Sequence, residues 1–131
     1  LRDLRGHLRD RLVVPEDVMK KAPQQTILKI AQQERAKLNR VCKGKVRCWC
    51  GACAMQLWFS YRQKGYYSCV VHGWYRGQRH NWNEVRTNGE WYLVDITAEQ
   101  FRGGKPLTVR RRVYRGGPYR PQGRTCWAND A

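Results

Sequence analysis

Three residues in this chain have the types and spacing to carry out acyl-transfer chemistry: Cys50, His80 and Asp95. The stretch CWCGACAMQLWFSYRQKG, residues 48–65, places three cysteines in six positions and runs straight into a helical pattern. Ala54, Leu57, Trp58 and Tyr61 fall at i, i+3, i+4 and i+7 and make one apolar stripe, with Gln56, Ser60 and Gln63 outside it. Cys53 continues that stripe one step before Leu57 and reads as a small buried hydrophobe. Cys50 falls at the expected helix start, where backbone N–H groups are unpaired and the positive end of the helix dipole favours a thiolate. Such a thiolate needs a base.

The histidines are His7, His72 and His80. His80 opens HNWNEVRTNGEWYLVDIT, which alternates around the pair Asn88-Gly89, the strongest short-range hairpin signal. A two-residue turn sets Thr87 opposite Glu90, and counting outward sets Trp82 opposite Asp95 and His80 opposite Thr97. With a side-chain period of two, all four lie on one face, and His80 and Asp95 become diagonal neighbours about 7 Å apart. The carboxylate is then expected to reach the imidazole and hold its tautomer, unless a bulge shifts the register.

Two other uses of the cysteines remain open. Cys42, Cys48, Cys50 and Cys53, with His72 as a spare ligand, form a candidate zinc set, although C-x-C-x-x-C lacks the paired knuckles of common zinc motifs. Six cysteines also allow disulfides in an oxidising compartment, and a bridge from Cys42 or Cys48 to Cys126 beside a reduced Cys50 is one arrangement.

The elements that must position these groups are those of a single domain, residues 1–131. Residues 1–47 are the basic helical part, with a short turn and then a helix from about Pro23 to Asn39 striped by Ile27, Ile30, Ala31 and Leu38. Residues 48–101 are the chemical core. Residues 102–131 are broken by Gly and Pro and are expected to be loop apart from a strand or two near LTVRRRVY. The charge of +16 is uneven: 13 Lys/Arg against 5 Asp/Glu in residues 1–47, 5 against 4 in residues 48–101, and 8 against 1 in residues 102–131. Basic flanks predict contact with nucleic acid or another polyanion, for which Arg110, Arg111, Arg112, Arg115, Arg120 and Arg124 interleaved with Tyr114 and Tyr119 are candidates. A merely solubilising surface explains the same charge. No apolar run approaches the roughly 18 residues of a membrane span. The chain begins with Leu1 and carries no signal-peptide pattern, so it is expected to be a processed product or a domain of a larger polypeptide; its localisation is left open, a secreted or delivered effector being one reading.

A cysteine at a helix start, then HNWNEV, then WYLVDIT, resembles the transglutaminase-like and papain-like superfamily of thiol enzymes. The family helix, Cys-x-x-x-Ala closing on Gly, is similar to Cys50, Ala54 and Gly65 here, and its His-x-Trp-Asn-Glu-Val and Gly-x-Trp-Tyr-x-Val-Asp-x-Thr patterns are similar to residues 80–97. The Cys-x-x-Cys opening and RQKGY are also similar to papain-fold toxin domains of bacteria, whose relatives deamidate glutamine in target proteins. The resemblance covers residues 48–101. It implies an α+β papain-like or transglutaminase-like core, with N-terminal helices and the nucleophile helix packed on an antiparallel sheet. It also implies Cys50 as nucleophile, His80 as general base and Asp95 as its orienting residue, with no cofactor and no metal. The implied activity is that of a glutamine deamidase or transglutaminase acting on a protein amide, with a cysteine protease as the enzymatic alternative. A basic zinc- or disulfide-stabilised nucleic-acid-binding or structural protein is the alternative from another class. For the oxyanion the backbone N–H of Cys50 is the natural donor; the family's second donor has no clear match, Trp49 and Lys45 being the candidates.

Overall fold

A long helix, α1 (Glu16–Cys42), is followed by α2 (Cys50–Gln63) and then by strands β1 (Tyr67–Tyr75), β2 (Gln78–Thr87) and β3 (Glu90–Asp95), a 3-10 turn (Ala98–Gln100), β4 (Thr108–Arg111) and β5 (Tyr119–Thr125). The computed structural model describes residues 16–42, 50–101 and 104–127, and only the backbone of residues 16–22, 42 and 50. His7, Lys45, Cys48 and Trp49 lie outside the described residues. The expected short turn and second helix are one helix of 27 residues with Pro23 inside it. Proline removes one backbone hydrogen bond there, but EDVMKKA before it holds no other breaker, and the helix runs through.

The five strands form one antiparallel sheet in the order β4-β3-β2-β1-β5. β1 to β4 follow one another as a meander, and the chain then returns to pair β5 with the open edge of β1. The β2–β3 register is the one expected: Thr87 faces Glu90 and Asn83 faces Val94. Asn88 and Gly89 both have positive φ, 51° and 78°, the backbone that a tight two-residue turn demands and that Asn-Gly accepts at low cost. β5 was not expected, because YRPQGRT carries Pro121 and Gly123; as an edge strand it needs fewer backbone donors, and Pro121 sits where the β1 register shifts between His72 and Gly73. There the strands come so close that a Cβ on Gly73 would stand 2.1 Å from the Arg120 carbonyl oxygen, so only glycine fits.

Alternation along the strands creates two apolar layers. On one face Val85, Tyr92 and Val94, continued by Ile96, pack against Cys53, Leu57 and Tyr61 of α2 and Ile27, Ile30 and Ala31 of α1. The fully buried Ile27, Leu57, Val85 and Val94 each contribute about 1.5–3 kcal/mol. Tyr61 donates to the Ile27 carbonyl at 2.7 Å and locks the two helices together. Ser60, expected on the polar side of α2, is buried because Glu34 of α1 comes down on it, accepting its hydroxyl at 2.5 Å. On the other face Val71, Tyr75, Trp82, Leu93, Ala98 and Tyr119 form the second layer.

A disulfide joins Cys69 in β1 to Cys126 just after β5. The partner of Cys126 is therefore Cys69 and not Cys42 or Cys48: the return of β5 alongside β1 pairs Val70 with Thr125 and brings the two sulphurs together. Closing a separation of 57 residues restricts the unfolded chain by about 4 kcal/mol.

Candidate active site

His80 and Asp95 meet as the hairpin register requires. The side chains are buried, and His80 Nε2 lies 2.7 Å from Asp95 Oδ2. The strand ladder ends near this pair, where Asp95 turns the chain: its Oδ1 accepts the backbone N–H of Thr97 at 3.0 Å. Oδ2 also accepts the hydroxyl of Tyr119, at 2.7 Å from β5. Burial, followed by the charge and hydrogen bond of Asp95, pushes the Tyr119 phenol well above its usual range, so it serves as a fixed donor. With every donor supplied by its surroundings, Asp95 acts as an acceptor, and the imidazole proton it holds is the one on Nε2.

That arrangement leaves Nδ1 of His80 as the basic nitrogen. It is met by the carboxamide nitrogen of Gln100 at 2.8 Å, from the end of the 3-10 turn. Aromatic rings enclose the imidazole: Phe101 stands edge-on with centroids 4.9 Å apart, Tyr75 at 5.9 Å and Trp82 at 6.1 Å. Arg35 of α1 fastens the turn from outside, donating to the Ile96 carbonyl at 2.6 Å and the Pro106 carbonyl at 2.9 Å and pairing with Glu99. Burial lowers the Arg35 pKa, while the neighbouring Cys53 and Asp95 act in the opposite sense.

Beneath Trp82 lies a second carboxylate, Glu84, fully buried in the same face of β2. Arg124 of β5 binds it through Nε at 2.6 Å and Nη2 at 3.0 Å, and Arg112 through Nη1 at 3.2 Å. Tyr114 donates to Glu84 Oε2, which it shares with Arg124 Nη2, and itself accepts Trp82 Nε1–H at 3.0 Å. Burial and the bond to Glu84 push the Tyr114 phenol up, and the same carboxylate raises Arg124. Thus Arg112 and Arg124 of the basic tail hold the floor of the site, and Arg110 lies over the Tyr119 ring, 5.4 Å from its centroid. Arg111, Arg115 and Arg120 are exposed. Glu84 was legible by parity, since it shares the face of His80 and Trp82; its arginine partners were not.

Cys50 opens α2, as the sequence pattern requires, and its side chain lies outside the described residues. Two contacts place the start of this helix at the His80 end of β2. A Cβ built on Gly51 would lie 3.5 Å from Asn81 Nδ2, and Asn81 is the residue after His80. One turn further on, buried Asn83 donates to the Ala54 carbonyl at 2.8 Å, fixing the helix against the strand. Asn81, Asn83 and Val85 point to the face that α2 covers, whereas His80, Trp82 and Asp95 belong to the opposite face. Cys53 is buried in the helical core as expected. His72 is exposed on β1, its Nδ1 paired with Asn81 Oδ1 at 2.6 Å, and among the described residues no three His, Cys, Asp or Glu side chains converge as metal ligands. A cavity of about 430 Å³ opens between α1 and α2, lined in part by Leu38, Val41, Ala52 and Gln56.

Among the described residues no helix is long and apolar enough to cross a membrane. No family model, curated protein or solved structure matches the chain at a significant level.

Proposed function

We propose that this α+β protein is a thiol enzyme of papain-like or transglutaminase-like type that acts on protein carboxamides, with Cys50 as nucleophile, His80 as base and Asp95 as the orienting acceptor. The observation that carries the reading is the buried His80–Asp95 pair at 2.7 Å, which commits Nε2–H and leaves Nδ1 to accept a proton. It is further supported by the start of α2 lying against Asn81, because the first residue of a helix is where a thiol is held as thiolate.

The reaction then runs in two stages. His80 Nδ1 takes the Cys50 proton, the thiolate attacks the carboxamide carbon, and the tetrahedral oxyanion collapses as His80 passes that proton to the departing ammonia, leaving a thioester. His80 next takes a proton from water, whose oxygen attacks the thioester, and the acid and the thiol are released; an amine in place of water gives transglutamination. Asp95, held by Thr97 and Tyr119, stabilises the imidazolium formed on the way.

The test is to incubate the native protein and its Cys50→Ala variant with glutamine-containing proteins and to follow ammonia release together with peptide mass. Conversion of glutamine to glutamate by the native protein alone supports the reading. Cleaved backbones without amide loss would replace it with a protease, and the absence of any Cys50-dependent product would remove it.

A further inference from the structure

The amide of Gln100 is placed where a substrate's amide would have to be. Since Asp95 holds Nε2–H of His80, Nδ1 has one in-plane lone pair and is the only ring position that can receive a proton. In amide hydrolysis that same nitrogen must return the proton to the leaving ammonia, so the substrate's amide nitrogen has to come within hydrogen-bond distance of it. Gln100 already presents a primary carboxamide nitrogen there, at 2.8 Å. Two amides cannot both point a hydrogen at one lone pair.

We infer that Gln100 is a built-in occupant of the carboxamide subsite: the chain folds self-occluded, and a substrate primary amide takes the place of its own glutamine. The meaning of this contact rests on the thiol-enzyme reading above, but the contact itself does not. The turn that carries Gln100 is suited to the role. Its backbone is fixed by Gln100 N–H to the Thr97 carbonyl at 3.1 Å and Phe101 N–H to the Ala98 carbonyl at 3.1 Å, and Arg35 grips it at Ile96 and Glu99. Gln100 itself is only half-buried, so its side chain can swing out by rotamer change while the turn stays in place. The carboxamide of a bound glutamine would then repeat the contact that Gln100 makes, which accounts for selection of a primary amide over an acid. A carboxylate offers no hydrogen to Nδ1.

Among the described residues the titratable and charged groups near the imidazole are Asp95 from β3, Tyr75 from β1 and Tyr119 from β5 through Asp95, with Arg35 of α1 and Glu99 of the turn behind, and the proposed function adds the Cys50 thiol. With these groups the same in every variant, an N–H donor on Nδ1 favours the neutral ring. Removing it moves the His80 titration midpoint upward by about 0.5–1 pH unit, and an acceptor in its place moves it further.

The experiment is an NMR titration of the His80 ring nitrogens in the native protein, in Gln100→Met, which keeps the side-chain length without a donor, and in Gln100→Glu. N-acetylglutamine amide is added as the probe, with N-acetylglutamate amide as control. The expected midpoints rise in the order Gln, Met, Glu, and the glutamine probe perturbs Nδ1 at roughly threefold to tenfold lower concentration in Gln100→Met than in the native protein, consistent with losing one hydrogen-bonded competitor. An unchanged midpoint in both variants, or probe binding no tighter in Gln100→Met, overturns the inference. Neither readout uses the sulphur, so an inert Cys50 would count against the proposed activity alone.

Discussion

Replacing Tyr119 by phenylalanine removes a single oxygen from the site, and the structure fixes what that oxygen does. It donates to Asp95 Oδ2 at 2.7 Å, inside a layer where Asp95 is 1 % exposed and Tyr119 2 %. The ring itself, with centroids 4.8 Å from Tyr75 and 5.1 Å from Trp82, is kept by the substitution, so packing is little changed. The loss is therefore the hydrogen bond to a buried carboxylate, about 2 kcal/mol, together with a weaker one that the phenol oxygen accepts from Thr108. For a chain of 131 residues this corresponds to a Tm lower by about 7 °C. A second effect follows: with one donor fewer, Asp95 is a stronger acceptor for the His80 proton, so the imidazolium is favoured and the ring's titration midpoint rises. Calorimetry and an NMR titration of the same sample read both. A Tm within about 1 °C of native together with an unmoved His80 midpoint would refute the claim that β5, from the Pro- and Gly-rich tail, completes this site.

The other consequences can be checked separately. Glu84→Gln leaves Arg112 and Arg124 without their shared carboxylate; because both guanidinium groups are partly exposed and can rehydrate, the cost is at the lower end for a broken buried pair, about 3 kcal/mol, visible as a lower midpoint in urea unfolding. Burial raises the phenols of Tyr61, Tyr114 and Tyr119 in the folded state, so their contribution to stability is complete below the ordinary tyrosine value of 10.0 and is lost as pH rises above it. Stability measured from pH 9 to 11.5 should fall with a slope approaching about 4 kcal/mol per pH unit, tyrosinate absorbance appearing together with unfolding; early absorbance from folded protein would contradict this burial. Cys69→Ala with Cys126→Ala should lower stability by about 4 kcal/mol without altering the β2–β3 register, and an unchanged unfolding midpoint would show that the bridge does not constrain the unfolded chain.

Much of the site was legible because one local signal carried it. Asn88-Gly89 fixed a two-residue turn, the turn fixed the register, and period two then put His80 and Asp95 on one face. The stripe of Ala54, Leu57 and Tyr61 likewise placed the start of α2 at Cys50. What escaped depends on contacts between segments distant in sequence. Tyr119 and Arg124 reach the site only because β5 crosses back to β1, and a strand containing Pro121 and Gly123 has no alternating pattern to announce it. The Cys69–Cys126 pairing follows from the same crossing. Gln100 sits in a three-residue turn, where no periodicity exists to assign it a face.

The central claim is that the residue opening α2 is a thiol whose proton passes to Nδ1 of the His80–Asp95 pair when Gln100 moves aside. The most direct measurement is the pH dependence of iodoacetamide labelling, mapped by mass spectrometry to individual cysteines, in the native protein and in His80→Ala. The account predicts rapid labelling of Cys50 near pH 6, slow labelling of buried Cys53, and a Cys50 profile displaced to higher pH when His80 is removed. A Cys50 that reacts only near the pKa of an ordinary thiol, with or without His80, would contradict it.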